Sequence, residues 1–451
     1  MAGIFGTDGV RARINTVPMR AEAVVRLALA AGRWFADQSG EHRTSTTPTV
    51  VIGKDTRLSG YMIESALVAG FTSIGINCRL LGPVPTAAVS YLTHSMRAEF
   101  GVMISASHNP HHDNGIKLFG PDGMKLDDAI EEGISNLMQG SIALSDPGQL
   151  GRARRMINSA QRYMEFAKST FDTAQSLSGF RVVIDCAHGA AYNTAPDTLH
   201  ELGAEVVSMG VAPDGLNINE ECGATAPDGM AQTVREAGAQ IGIALDGDAD
   251  RLILSDETGG ICDGDQILAA LALDMHANSL LEGPVIGTVM SNLGLELLLK
   301  EKGIPFERAA VGDRYILERM RVTGSNLGGE PSGHILLPHL TRSGDGLIAA
   351  LQILGVMCRT GKTASALLNQ FTAVPQKLVN LRDIDKAVLT EASIIQTVAA
   401  VEAELGDKGR VILRPSGTEP LIRVMVEALD EVALDNAMEK LLTAIESYRA
   451  D

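Results

Sequence analysis

Short apolar runs, each closed by a polar loop and followed by a stretch of helical spacing, recur along most of this chain. That alternation leaves few folds open. Thr49–Gly53, Asn77–Leu81 and Phe100–Ile104 read as buried strands, while Arg20–Asp37 and Tyr61–Gly75 carry helical apolar spacing. Pro83-Val-Pro85-Thr86 opens another helix. Strands and helices in alternation predict a mostly parallel sheet covered on both faces. The composition turns to Ser, Asp, Pro and Gly between Ser145 and Gly151, a linker signature. A helix is expected over Ser159–Phe171, and the pattern restarts with strands at Phe180–Asp185, Glu205–Met209, Ile241–Leu245 and Leu252–Ser255. A third start follows Gly259, with helices at Asp265–His276 and Leu293–Lys302 around a strand at Pro284–Val289. After Pro375 the texture changes to strands at Lys377–Leu381, Arg410–Arg414 and Leu421–Glu427, with helices at Asp385–Leu405 and Val432–Tyr448. The expected class is α/β: three comparable mixed α/β domains (1–155, 156–257 and 258–374) and a smaller C-terminal α+β domain (375–451). No repeat of fixed period accompanies the three units.

Composition narrows the function. The net charge of −17 argues against a nucleic-acid surface and against adhesion to an anionic membrane, although local arginines can still bind a phosphorylated substrate. Five cysteines are scattered without CxxC spacing, which indicates neither zinc nor a disulfide framework. Leu347–Met357, among the longest apolar stretches, is too short to span a bilayer, and the first residues lack signal-peptide character. A cytoplasmic protein is expected.

Four polar loops carry the chemistry. Ile104-Ser-Ala-Ser107-His108-Asn109-Pro110 presents Ser107 at the carboxyl end of a strand, where open α/β sheets bind ligands. A serine nucleophile needs a base, a cation or a metal; the same residues also suit a helix cap or a turn. Asp246-Gly-Asp248-Ala-Asp250-Arg251 crowds three carboxylates into five residues, which repel unless a hard cation gathers them. The spacing imitates a calcium loop, but Arg251 stands where that loop requires glycine, and the flanks read as strands. Arg414-Pro-Ser416-Gly417-Thr418-Glu419, with Arg423 beyond, offers guanidinium, hydroxyl and backbone N–H donors suited to an anion. Gly329-Glu330-Pro331-Ser332-Gly333-His334 can bind sugar hydroxyls, or be a turn with a surface histidine.

With Phe5-Gly6-Thr7-Asp8-Gly9-Val10-Arg11, these loops resemble in order those of the α-D-phosphohexomutase family, from the first residues to Arg423. The resemblance implies four domains around a central cleft, the last of them mobile. It implies that Ser107 is a phosphoserine and the phosphoryl donor, and that Ser107, Asp246, Asp248 and Asp250 hold one Mg2+. Arg11, Lys117 and His334 would stabilise the transferring phosphoryl or move a proton. Arg251, Glu330, Ser332 and His334 would bind the substrate. Arg414, Ser416, Gly417, Thr418 and Arg423 would grip the phosphate that is not being transferred.

Val311–Tyr315, Asn217-Ile-Asn219, Cys222–Thr225 and Ser343–Leu347 resemble the glucosamine-specific members. Pro331 departs from them: they often carry Gln there, and glucose or mannose members Met. The implied reaction converts glucosamine 6-phosphate to glucosamine 1-phosphate through glucosamine 1,6-bisphosphate and feeds amino-sugar nucleotide synthesis. The same chemistry on glucose or mannose phosphates, a metal-dependent sugar-phosphate phosphatase and a non-catalytic sensor remain as alternatives. The expected partners are small hexosamine phosphates, and a homodimer is compatible with all of this.

Overall fold

The apolar runs form the middles of four separate sheets in the computed structural model, which describes residues 4–6, 8–38, 48–382, 384–415 and 421–449. The first sheet has six strands, in the order Val10–Arg13, Asp113–Phe119, Phe100–Ile104, Thr49–Lys54, Asn77–Pro83 and Ala153–Arg155. Phe100–Ile104, Thr49–Lys54, Asn77–Pro83 and Ala153–Arg155 run parallel, and the other two strands add antiparallel at one edge. The second sheet runs Ile261–Cys262, Leu252–Asp256, Ile241–Leu245, Arg181–Asp185, Glu205–Met209. Its two-residue edge strand lies past residue 257, where the sequence placed a boundary. The third sheet is Phe306–Ala309, Val285–Thr288, Gly328–Gly329, Ile335–Leu336. The fourth, Gln376–Arg382, Leu421–Ala428, Gly409–Pro415, is antiparallel throughout.

One device repeats in the first three units. A strand that pairs in parallel with the middle of its sheet turns back as an antiparallel hairpin, and the hairpin loop is a polar loop of the sequence. Phe100–Ile104 returns as Asp113–Phe119 around Ser107. Ile241–Leu245 returns as Leu252–Asp256 around the three aspartates. Gly328–Gly329 returns as Ile335–Leu336 around Glu330–His334. In the fourth unit Gly409–Pro415 and Leu421–Ala428 flank the arginine loop in the same way. The three units are therefore comparable in topology without any repeat in sequence.

Packing divides the chain differently from topology. One continuous apolar cluster runs from Val51 and Leu92 through Tyr163, Ile184, Leu245 and Leu268 to Leu354, joining the first three units. The fourth unit has a core of its own around Ile394, Val424, Val426 and Leu441. Burial of apolar surface is what chiefly drives folding, so three units behave as one body and the fourth as an attachment. Polar links secure that attachment: Arg410 Nη1 donates to Val289 O at 2.7 Å, and the amide of Leu293 donates to Glu427 at 3.2 Å.

The expected helices are present with ends shifted by a residue or two, with one exception. The single helix expected over Asp385–Leu405 is broken into a 3-10 turn, Lys386–Thr390, and a helix, Ala392–Leu405. Asp385 caps the turn by accepting from the Ala387 amide at 2.9 Å, and Glu391 is extended between the two. A local side-chain bond of this kind competes with helix propagation. Among the described residues, no helix is long and apolar enough to cross a membrane.

Candidate active site

The hairpins of the first and second units touch through Ser107. Its Oγ donates to Asp246 Oδ2 at 2.6 Å, and the residue is buried. Its backbone is left-handed, with φ at +50°, a costly conformation for a non-glycine residue. Several groups hold it there. Ser105 Oγ accepts from the Ser107 amide at 2.9 Å and donates to Asp55 Oδ2 at 2.7 Å. Arg57, wholly buried, donates to Ser107 O at 2.9 Å, Asn109 O at 2.8 Å, Asp113 O at 3.1 Å and Pro110 O. From the second unit Asn219 Nδ2 donates to Ser107 O at 2.9 Å and Asn109 O at 3.2 Å.

Asp246, Asp248 and Asp250 are all buried, and one carboxylate oxygen from each lies within 4.8 Å of the others. Thr86 Oγ1 at 2.6 Å and Lys117 Nζ at 2.9 Å donate to Asp248 Oδ2, and Lys117 Nζ also bonds Asp250 Oδ2 at 3.2 Å. The other oxygens of Asp248 and Asp250, both Oδ1, are buried with no hydrogen-bond partner. Buried carboxylate oxygens without a hydrogen bond are costly, and a hard oxygen-only donor set of this size suits a hard divalent cation such as Mg2+. Burial, and then Asp250 and Asp248, push the Asp246 carboxyl up to about 7. Burial opposes the charge on Lys117, but Asp248, Asp250 and Asp8 outweigh it and hold its pKa well above the ordinary lysine range.

The third unit closes a ring around this cluster. Lys117 Nζ lies 3.1 Å from Asp8 and 3.2 Å from Asp250. Asp250 lies 3.8 Å from His334 Nδ1, and His334 Nε2 lies 3.6 Å from Asp313. Lys125 pairs with both Asp313 and Asp8. Asp8, Lys117, Asp250, His334, Asp313 and Lys125 thus alternate in charge around a closed circuit that draws on all three units. Burial works against the imidazolium of His334, but Asp250 and Asp313 prevail and raise its pKa. Arg11 joins through its own ion pair with Asp8.

The remaining predicted residues sit as follows. The Arg251 amide donates to Asp246 Oδ1 at 3.2 Å, and its charge helps to depress His108. Glu330 Oε1 accepts from the Gly312 amide at 2.9 Å, and Ser332 Oγ donates to Glu330 Oε2 at 3.4 Å. Arg414 and Arg423 are directly paired across antiparallel strands of the fourth unit. Burial, and then Arg423, lower the pKa of Arg414. Like charges placed opposite each other cost stability unless an anion lies between them. Thr7, Ser416, Gly417 and Thr418 lie outside the described residues.

Family models for α/β/α domains I, II and III of phosphoglucomutase/phosphomannomutase match residues 2–143, 161–260 and 263–374, and the model of the C-terminal domain matches 373–444. The chain belongs to the phosphoglucomutase/phosphomannomutase family. It is similar to the phosphoglucosamine mutase of Paracoccus denitrificans (strain Pd 1222), 54% identical over 445 residues and covering 98% of each chain. The phosphoglucosamine mutase of Caulobacter vibrioides (strain NA1000 / CB15N) is 54% identical over 446 residues, again 98% of each. A solved phosphoglucomutase/phosphomannomutase family protein from Burkholderia thailandensis superposes with a TM-score of 0.81 at 22% identity, covering 99% of this chain and 97% of that one, which shows the fold.

The sequence did not assign a place in this phosphohexomutase site to several of its residues. His108 Nδ1 is 3.3 Å from Ser107 Oγ, and burial, followed by Arg251 and Arg11, pushes it down to about 4, so it is a neutral imidazole at pH 7. Asp55 and Arg57 looked like an ordinary polar loop. Asn219 and Asp313 lay inside stretches recognised only as subgroup markers. Asp8 lay inside the Phe5–Arg11 motif, in which only Arg11 was given a role, and Lys125 carried no signal beyond its charge, because its partners are distant in sequence.

Proposed function

We propose that this phosphohexomutase interconverts glucosamine 6-phosphate and glucosamine 1-phosphate in the cytoplasm, with phosphoserine 107 as donor and glucosamine 1,6-bisphosphate as intermediate. The observation that carries the reading is the 2.6 Å contact of Ser107 Oγ with the buried aspartate triad. The sugar is chosen from the named activity of relatives 54% identical over nearly the whole chain.

In the first half-reaction the Ser107 Oγ–P bond breaks and a bond from phosphorus to the free sugar hydroxyl oxygen forms. The hydroxyl proton ends on Ser107 Oγ, so proton and phosphoryl exchange places. The neutral His108 Nδ1, beside that oxygen, is the group that passes the proton. Lys117 and Arg11, both held charged, neutralise the moving phosphoryl rather than act as bases. Oxygens of Asp246, Asp248, Asp250 and phosphoserine 107 would hold one Mg2+, which when bound draws charge from the phosphoryl oxygens. Arg251, Glu330, Ser332 and His334 bind the sugar. Arg414 and Arg423, with Ser416, Gly417 and Thr418, grip the phosphate at rest. The bisphosphate turns over in the cleft, and Ser107 recovers the other phosphoryl.

The test is a coupled assay of glucosamine, glucose and mannose phosphates with free phosphate measured alongside. Glucosamine 6-phosphate should give glucosamine 1-phosphate without matching phosphate release and with the highest kcat/KM. Release of phosphate at the rate of substrate loss would make the protein a phosphatase instead.

A further inference from the structure

Ser343–Leu347 resembles a stretch of the glucosamine-specific members, yet it belongs to none of the four hairpins, and the mechanism above gives it no task. It forms a wedge between two of them. A Cβ placed on Gly344 would lie 2.3 Å from Cε1 and 2.4 Å from Nε2 of the His334 ring, far inside contact distance. On the other side, a Cβ on Gly346 would lie 2.6 Å from Arg251 O, and the Gly346 amide donates to Ala249 O at 2.9 Å. Asp345, between the two glycines, caps the helix Gly346–Thr360 by accepting from the Ile348 amide at 3.0 Å. The same carboxylate accepts from the buried Tyr163 hydroxyl at 2.9 and 3.0 Å. The turn is therefore pinned from behind and pressed against the aspartate loop and the sugar loop at once.

His334 needs such a support. Its ring is buried, and its nearest carboxylates stand at 3.8 and 3.6 Å, ion-pair distances rather than hydrogen bonds. Nε2 has no hydrogen-bond partner. Carboxylates at these distances on two sides of the ring orient it only loosely, so what it packs against completes its orientation, and that includes Gly344. Resting on the reading of His334 as a site residue, we propose that Gly344 is a positioning residue. The bare backbone of the Ser343–Leu347 turn is the surface that sets the buried His334 ring between Asp250 and Asp313.

The experiment uses the full-length protein labelled with 15N-histidine, in wild type, Gly344→Ala, His334→Ala and the double variant. The His334 ring signal is identified by its loss in His334→Ala. Gly344→Ala should move or broaden that signal and lower kcat/KM about tenfold or more, with kcat the more affected. In the His334→Ala background, where the clashing ring is gone, Gly344→Ala should cost nothing further in Tm or kcat/KM. An unmoved ring signal, or an equal loss in both backgrounds, would overturn the proposal. If Gly344→Ala alone fails to fold, the double variant should fold, and its failure also overturns it. A ring signal that moves while the activity of both single variants stays at wild-type level would uphold the positioning of His334 and remove that histidine from the proposed mechanism.

Discussion

Arg57 and Asp55 offer a sharp measure of what it takes to hold Ser107 in a left-handed conformation. Arg57→Met keeps the buried aliphatic length and removes the guanidinium. Of the four carbonyls it serves, those of Ser107 and Asn109 retain Asn219, so the backbone loss is partial. Most of the cost falls on Asp55, buried with Arg57 Nε at 2.8 Å and left without its cation. Breaking one side of a buried pair costs about 3–5 kcal/mol. Asp55→Asn alone should cost a similar amount, because it leaves a buried guanidinium without a carboxylate. The double variant removes both charges. An asparagine side chain in place of Asp55 can still accept from the backbone amide of the next residue but one, as the carboxylate does at 3.0 Å, and can donate to Ser105. The double loss should therefore fall short of the sum by about 2 kcal/mol. Urea unfolding followed by Trp34 fluorescence is the assay. Trp34 is the single tryptophan and lies on the helix Ala21–Gln38 of the same unit, so the signal reports that unit. Strictly additive losses at matching m-values, or a loss below about 1 kcal/mol for Arg57→Met, would refute the idea that this pair holds the loop.

Ser107→Ala should abolish nearly all mutase activity while the protein still folds, at a cost of about 1–3 kcal/mol for the buried Asp246 oxygen left without its donor, and intact mass of active wild-type protein should show a phosphate adduct that maps to Ser107. Arg423→Ala should lower kcat/KM by about ten- to a hundredfold, mainly through KM, and equally in both reaction directions, as measured at equal enzyme phosphorylation. Asp345 is raised from 3.8 to about 6, chiefly by burial, so its contribution to stability is fully present below pH 4 and is lost as pH rises through 6. Asp345→Asn can still cap the helix and accept from Tyr163, and should flatten that part of the pH–stability curve by up to about 3 kcal/mol, read from urea midpoints between pH 4 and 7.

The legible parts of this protein are those in which neighbouring residues share one cause. Ile241–Leu245 is buried on both faces and reads as a strand from its own composition, and three aspartates within five residues mark a candidate cation site because such charges repel unless a cation gathers them. The strand Asp113–Phe119 was not legible. It is buried yet carries Asn114 and Lys117, which sit in the ion cluster and beside Ser59 rather than in solvent, so no apolar alternation marks it. The charged circuit was hidden for a related reason. Lys125 meets Asp8 and Asp313 across 117 and 188 residues, and only the folding of the first unit, for Asp8, and the arrangement of the units, for Asp313, brings these pairs together. Arg57 had the sequence context of a surface loop residue and became a buried strut because the Ser107 hairpin folds over it. Residues that perform chemistry are concentrated in hairpin loops, where a short motif can hold them. Residues that orient those loops are dispersed, since they come from other elements of the same unit, as Arg57 and Asp55 do, or from another unit, as Asn219 does. Local reading therefore recovers the reacting groups of such a site and misses the groups that hold them in register.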